Sequence, residues 1–177
     1  MNIAENIAKV KKDIETAALN SGHDPEKILL LGATKMNDCS RVRQAIEAGI
    51  DICGENRVQE MLEKHAKSAY DGCPLHFIGH LQKNKVKQVV GLAELIHGVH
   101  DLQLLEAINK EAMKKGIVQD VLLEVNIGME ESKSGFSPDE IPSALEFASS
   151  LSAVRVRGLM AIPPICQNSA ENRPYFA

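Results

Sequence analysis

Lys35 is the residue on which chemistry is most readily built. It closes the run Ile28-Leu29-Leu30-Leu31-Gly32-Ala33-Thr34-Lys35, and the polar turn Met36-Asn37-Asp38 follows it. An apolar run of that length reads as a strand buried on both faces, and in α/β proteins the C-terminal strand ends form the functional face. A lysine shielded from bulk water at such a place is shifted toward its neutral amine, a nucleophile that condenses with aldehydes to a Schiff base. A solvated lysine after a strand is the plain alternative.

Polar or small residues stand at the other strand ends too: Asn56, His80, His97, Asn126 and Met160. Asn56 is suited either to reach a ligand or to cap the helix that follows it. His76 and His80, four residues apart on one strand face, would be separated by roughly 13 Å, too far to share a metal. His97 and His100 straddle a strand end without a ligand pattern beside them, so no metal site is expected. No strand is followed by a GxGxxG or GxxxxGK[ST] turn, which speaks against a Rossmann or P-loop nucleotide site. The loop Glu130-Glu131-Ser132-Lys133-Ser134-Gly135 is open to two readings, a cover offering Lys133 to an anionic group or a solvated polar loop.

These residues need a scaffold, and the hydrophobic pattern supplies one. Ile3, Ile7, Val10, Ile14, Ala17 and Ala18 recur at spacings of three and four, which predicts a helix over 3–20. Strands are predicted over 28–35, 50–54, 75–79, 95–99, 121–126 and 154–162, the last stopped by Pro163-Pro164. Helices are predicted between them, over 41–48 with Ser40 as N-cap, over 58–70, in the basic stretch carrying Lys83, Lys85 and Lys87, and over 101–115. Another starts at Ser137-Pro138-Asp139-Glu140, with Ser at the N-cap and Pro at the first helical position. A last helix barely begins at Ala170. Strands alternating with helices imply a parallel sheet with helices outside it, and strand ends converging on one rim imply a β/α barrel.

Bulk properties exclude other classes. The 177 residues carry a formal net charge of −4 with 3% aromatic residues and no Trp, so nucleic acid and anionic membranes are not expected partners. Cys39, Cys53, Cys73 and Cys166 form no CxxC pair and read as free thiols of a cytoplasmic protein. The segment from Met1 to Asn6 lacks the pattern of a signal peptide.

Five blocks carry a specific resemblance. Ala33-Thr34-Lys35, Cys53 to Glu60 (CGENRVQE), His76 to Lys85 (HFIGHLQKNK), Ser132-Lys133-Ser134-Gly135 and Arg157 to Pro163 (RGLMAIP) occur in this order. Together they resemble the pyridoxal phosphate homeostasis protein family, whose fold is that of the alanine racemase N-terminal domain. The resemblance implies a (β/α)8 TIM-type barrel and an internal aldimine between Lys35 and pyridoxal 5'-phosphate (PLP). It makes Asn56, His76 and Met160 the remaining candidate cofactor-binding residues, with no catalytic residue and no robust catalysis. It implies a role in PLP homeostasis, with PLP itself and apo PLP-enzymes as partners of a monomer. A PLP-dependent amino acid racemase or decarboxylase of the same fold is the alternative. Racemisation needs a second acid/base opposite Lys35, and Tyr70 and Tyr175 are expected in a mid-chain helix and at the terminus, away from strand ends.

The family's chains continue for two further strand-helix units, which carry the residues that hold the PLP phosphate. The expectation is therefore a single PLP-binding domain over 1–177, incomplete at its C-terminus, with six of the eight units. A (β/α)8 barrel needs at least about 200 residues, which points the same way.

Overall fold

A computed structural model describes residues 2–130 and 133–176. The chain forms two compact units, the first ending at His76 and the second beginning at Phe77.

The first unit opens with α1 (Ile3–Asn20), at the predicted bounds. The Asn2 side chain accepts the Glu5 amide at 2.8 Å, and the Glu5 carboxylate takes the Asn2 amide at 3.0 Å. This reciprocal box satisfies two amides that the first helical turn leaves without partners. β1 (Leu31–Ala33), α2 (Cys39–Glu47), β2 (Ile52–Glu55) and α3 (Val58–His65) follow. β1 and β2 pair in parallel, Leu31 opposite Ile52 and Ala33 opposite Gly54.

β1 is shorter than the apolar run, and Ile28 and Leu29 are exposed rather than buried. The backbone explains this. The Ile28 amide donates to Pro25 O across the turn Pro25–Lys27, and the Leu30 amide donates to the Asp51 carboxylate at 2.7 Å. Those donors are spent before a ladder can use them.

Ser40 does not cap α2. Asp38 does, accepting the Arg41 amide at 2.9 Å, a carboxylate two residues earlier being a better acceptor there. The helix expected to reach residue 70 ends at His65. Ser68 takes a left-handed φ of 54°, Ala69 N donates to Lys64 O and Ser68 N to His65 O, the paired closure of a Schellman turn.

β3 (Leu75–Phe77) stops two residues short of its predicted end. In the second unit the basic stretch is a 3-10 turn, Lys83–Lys85, running into the four-residue α4 (Val86–Val89). β4 (Leu95–Val99) and α5 (Leu102–Lys115) match expectation, and β5 (Gln119–Val125), α6 (Ile141–Ser149) and β6 (Val154–Ala161) follow. α5 begins at Asp101, which accepts the Leu104 amide at 2.6 Å, and ends at Gly116 with a left-handed φ of 65°. At the start of α6 the Ser137 amide and hydroxyl both donate to Glu140, at 2.8 and 2.9 Å. The segment read as a barely begun helix is a 3-10 turn, Ser169–Tyr175.

β5 pairs in parallel with β4 on one side and β6 on the other. Its side chains alternate, Gln119, Val121, Leu123 and Val125 being buried, and Leu104, Leu105, Ile108 and Ala112 of α5 bury a helical stripe. A Cβ on Gly98 would stand 2.7 Å from the Gly79 carbonyl oxygen, so only glycine fits that point of β4. Two buried amides tie loops to this core. Asn109 accepts the Ala153 amide at 2.8 Å, and Gln119 accepts the Gly91 amide at 2.9 Å while donating to Ala93 O at 3.0 Å. Among the described residues no helix is long and apolar enough to cross a membrane.

Candidate functional site

Lys35 lies two residues beyond β1, with its side chain exposed rather than shielded from water. Its neighbours in the chain are held far more tightly. Thr34 is buried; its amide donates to Gly54 O at 2.9 Å and its hydroxyl to Glu55 Oε1 at 2.7 Å. Met36 takes a φ of +60°, a left-handed conformation that costs a residue with a Cβ about 1–2 kcal/mol. Its amide donates to Glu60 Oε1 at 2.6 Å.

A buried ionic network stands behind this turn. Glu55, at the end of β2, is fully buried, and its Oε1 accepts from Thr34, from Lys64 Nζ at 2.8 Å and from the Tyr70 hydroxyl at 3.1 Å. Lys64 Nζ also donates to Thr34 O at 2.8 Å and to Glu60 Oε1 at 2.6 Å. Burial alone would favour the neutral Lys64 amine, but the hydrogen bonds to Glu55 and Glu60 outweigh it and hold the pKa above the ordinary lysine value. Burial likewise opposes ionisation of Glu60, yet the bonds from Lys64 and Met36 keep its carboxyl below the usual range. Tyr70 lies past the end of α3, and burial together with the Glu55 charge pushes its phenol far up. Cys53 Sγ sits 3.6 Å from Cys73 Sγ, and burial raises the Cys53 thiol strongly.

The remaining candidates fall as follows. Ala33 is opposite Gly54, so Lys35 and Asn56, each two residues further on, leave neighbouring strand ends at the same level. Asn56 does not cap α3, whose N-cap is Arg57 with no side-chain bond. Its Oδ1 is buried and accepts no hydrogen bond. His76 is half-buried in β3, whose neighbour Pro74 accepts the Cys53 amide at 2.9 Å, and burial lowers its imidazole pKa, keeping the ring neutral at pH 7. Met160 belongs to the second unit, half-buried in β6.

The strand ends of the second unit gather a different set. His80 and His100 stack with ring centroids 4.2 Å apart. Burial, then His100, lowers the His80 pKa against an opposing pull from Asp101, and burial raises that of Glu124. Ser134 Oγ reaches His80 Nδ1 at 3.4 Å. Lys133 pairs with Glu130 at 2.6 Å, while Glu131 and Ser132 of that loop lie outside the described residues. Among the described residues no group of three or more His, Cys, Asp or Glu is placed to hold a metal.

Thr34, Glu55, Glu60, Lys64 and Tyr70 were not singled out in the sequence as a unit. Two signals were available, a charged Glu55 closing an apolar strand and an i, i+4 pair of Glu60 and Lys64 on the next helix.

This scaffold matches known proteins over almost its whole length. The family model "Alanine racemase, N-terminal domain" matches residues 23–176, which defines the fold class. A protein from Bifidobacterium adolescentis is similar in structure, with a TM-score of 0.90 and 31% identity over 98% of this chain and 74% of that one. PipY of Synechococcus elongatus PCC7942, solved with PLP bound, has a TM-score of 0.77 and 30% identity, covering 99% of this chain and 77% of its own. The pyridoxal phosphate homeostasis protein of Aquifex aeolicus is 41% identical over 176 residues, 99% of this chain and 77% of that protein. The chain belongs to the pyridoxal phosphate homeostasis protein family, as its five sequence blocks implied.

Proposed function

We propose that this chain binds PLP, with Lys35 as its covalent anchor, and serves PLP homeostasis without robust catalysis of its own. The observation that carries the reading is the pairing of an exposed Lys35 amine on a rigidly held turn with the buried, unpartnered Oδ1 of Asn56 at the adjacent strand end. A buried acceptor without a donor is costly, and a hydroxyl or protonated nitrogen of a ligand would satisfy it. PLP supplies an aldehyde, which condenses with a primary amine with loss of one water. Lys35 supplies that amine, Asn56 accepts a hydrogen bond from the cofactor, and His76 presents a neutral ring beside them.

The relatives' name and the PLP in PipY support this reading. So does the commitment of Tyr70, whose hydroxyl is bound to Glu55 and strongly disfavours ionising, which removes it as the second acid/base a racemase needs. On the same reading residues 1–177 act as one PLP-binding domain of a monomeric cytoplasmic protein, and apo PLP-enzymes receive the cofactor.

The test is spectral titration with PLP, followed by borohydride reduction and peptide mass analysis. The unaltered protein turns yellow and carries the reduced adduct on Lys35, whereas Lys35→Ala does neither. Adduct formation at another lysine in both proteins rejects the assignment. Loaded protein in deuterated water with L- and D-amino acids shows no rapid Cα exchange; rapid exchange would establish the racemase reading instead.

A further inference from the structure

We propose that Glu60 and Lys64 form a positioning clamp that fixes the backbone on both sides of Lys35 and so aims its amine. The inference rests on Lys35 being the cofactor anchor. One turn of α3 presents both side chains to the segment after β1. Lys64 Nζ holds the carbonyl of Thr34, the residue before Lys35, at 2.8 Å. Glu60 Oε1 holds the amide of Met36, the residue after it, at 2.6 Å. The two clamp residues bond each other at 2.6 Å, which closes a ring of hydrogen bonds around Lys35.

Three further observations make this more than a helix-surface ion pair. Glu55, fully buried, anchors Lys64 from behind and takes the Thr34 hydroxyl as well, so the ring cannot slide along the strand. Met36 is held at a positive φ that its side chain disfavours, and its amide is the group Glu60 binds. Asn37 donates to Lys35 O at 3.0 Å and is itself held by Arg41 Nε at 2.9 Å. The carbonyls of Thr34 and Lys35 and the amide of Met36 are all bound by side chains, while the Lys35 side chain stays exposed. A turn so restrained serves to reduce the directions an exposed amine samples, and orientation of a reacting group governs its effective concentration. Glu60 and Lys64 are positioning residues, since neither is placed to react.

Glu60→Ala is the discriminating variant, because Lys64 keeps Glu55 and Thr34 and no buried charge is left alone. Glu60→Gln is the conservative partner, since its Oε1 still accepts from Met36 and Lys64. Two readouts are compared with thermal unfolding as a control for fold. The first needs no cofactor: amide exchange at Met36, with the α3 amides as internal reference. The second is the initial rate of borohydride-trapped PLP on Lys35. The amine adds to the aldehyde carbon with loss of water, and reduction places a hydride on that carbon and a proton on nitrogen.

Glu60→Ala is expected to speed Met36 exchange and slow trapping about tenfold, and Glu60→Gln to stay within about twofold of the unaltered protein. Unchanged Met36 exchange in Glu60→Ala overturns the clamp. Faster exchange with unchanged trapping overturns its role in aiming Lys35. An unaltered protein that traps no PLP on Lys35 removes the cofactor reading and the positioning role together, an outcome distinct from equal trapping in both proteins.

Discussion

The two units bury their polar groups in opposite ways. Around β2 and α3 the first unit buries ions: Glu55 and Lys64 are almost inaccessible, Lys64 bonding Glu55, Glu60 and the Thr34 carbonyl, and Glu55 Oε1 taking Lys64, Thr34 and Tyr70 while its Oε2 accepts no hydrogen bond. Around α5 and β5 the second unit buries hydrocarbon, with Ile96, Val99, Leu104, Leu105, Ile108, Val121 and Leu123 fully enclosed. Its polar tethers are the neutral Asn109 and Gln119. Apolar packing tolerates changes of shape if volume is kept, whereas a buried ion pair is satisfied in few geometries. The contrast teaches where geometry is specified and where stability is stored. The ionic region lies directly behind Lys35, and the hydrocarbon region supports the paired strands β4, β5 and β6.

The sharpest way to break the contrast is to leave one buried ion alone. Lys64→Met, which strands the Glu55 carboxylate, is expected to cost about 3–5 kcal/mol in chemical denaturation. Pairing it with Glu55→Gln is expected to restore a substantial part, because the uncompensated charge goes. Loss without any recovery would mean that packing, not charge, is what Lys64 contributes.

In the hydrocarbon region, Leu105→Ala is expected to cost about 2–5 kcal/mol through lost transfer energy and the cavity left behind. Unlike Lys64→Met it leaves the trapping of PLP on Lys35 unaltered once folded protein is compared at equal concentration. A loss of trapping equal to that of Glu60→Ala would erase the division of labour between the units. Asn109→Ala is a milder probe, expected to cost about 1–3 kcal/mol because the buried Ala153 amide loses its acceptor. Denaturant midpoints at constant slope give that difference directly.

The smallest effects are those of pH. Glu60 has a folded-state pKa below its unfolded value, so its contribution is complete above about pH 4.3 and fades as pH falls through the depressed value. His76 in the first unit and His80 in the second are also depressed, chiefly by burial. The unfolded chain then binds protons that the folded one refuses, and stability declines as pH drops below about 6.5. His76→Gln is expected to flatten part of the slope of thermal midpoint against pH below neutrality, and an unchanged slope would assign it wholly to other groups.

How much of this was legible beforehand depended on the range of the interaction. The α1 bounds, β4, the ends of α5 at Asp101 and Gly116, and the Ser137 start each follow from residues within a turn of one another, where capping and period act. Errors fell where a distant group intervened, as at β1, or where a neighbouring residue offered a competing cap or turn, as at α2 and α3. β1 lost its first residues because the Asp51 carboxylate takes the Leu30 amide. α3 closed early because Ser68, not a glycine or proline, adopts the left-handed turn. Asn56 as a helix cap was a reasonable local reading, and the structure sets it aside by leaving Oδ1 unpartnered.

By itself the sequence determined the alternation of strands and helices, the family and the placing of Lys35 at the C-terminal end of the first strand run. These rest on local periodicity and on motifs read residue by residue. Only the tertiary structure decided that Glu55, Glu60, Lys64 and Tyr70 converge on the segment around Lys35. Their contacts join β1, β2, α3 and the turn after it, up to 30 residues apart in the chain. Such convergence depends on strand register and helix docking, which no local pattern encodes.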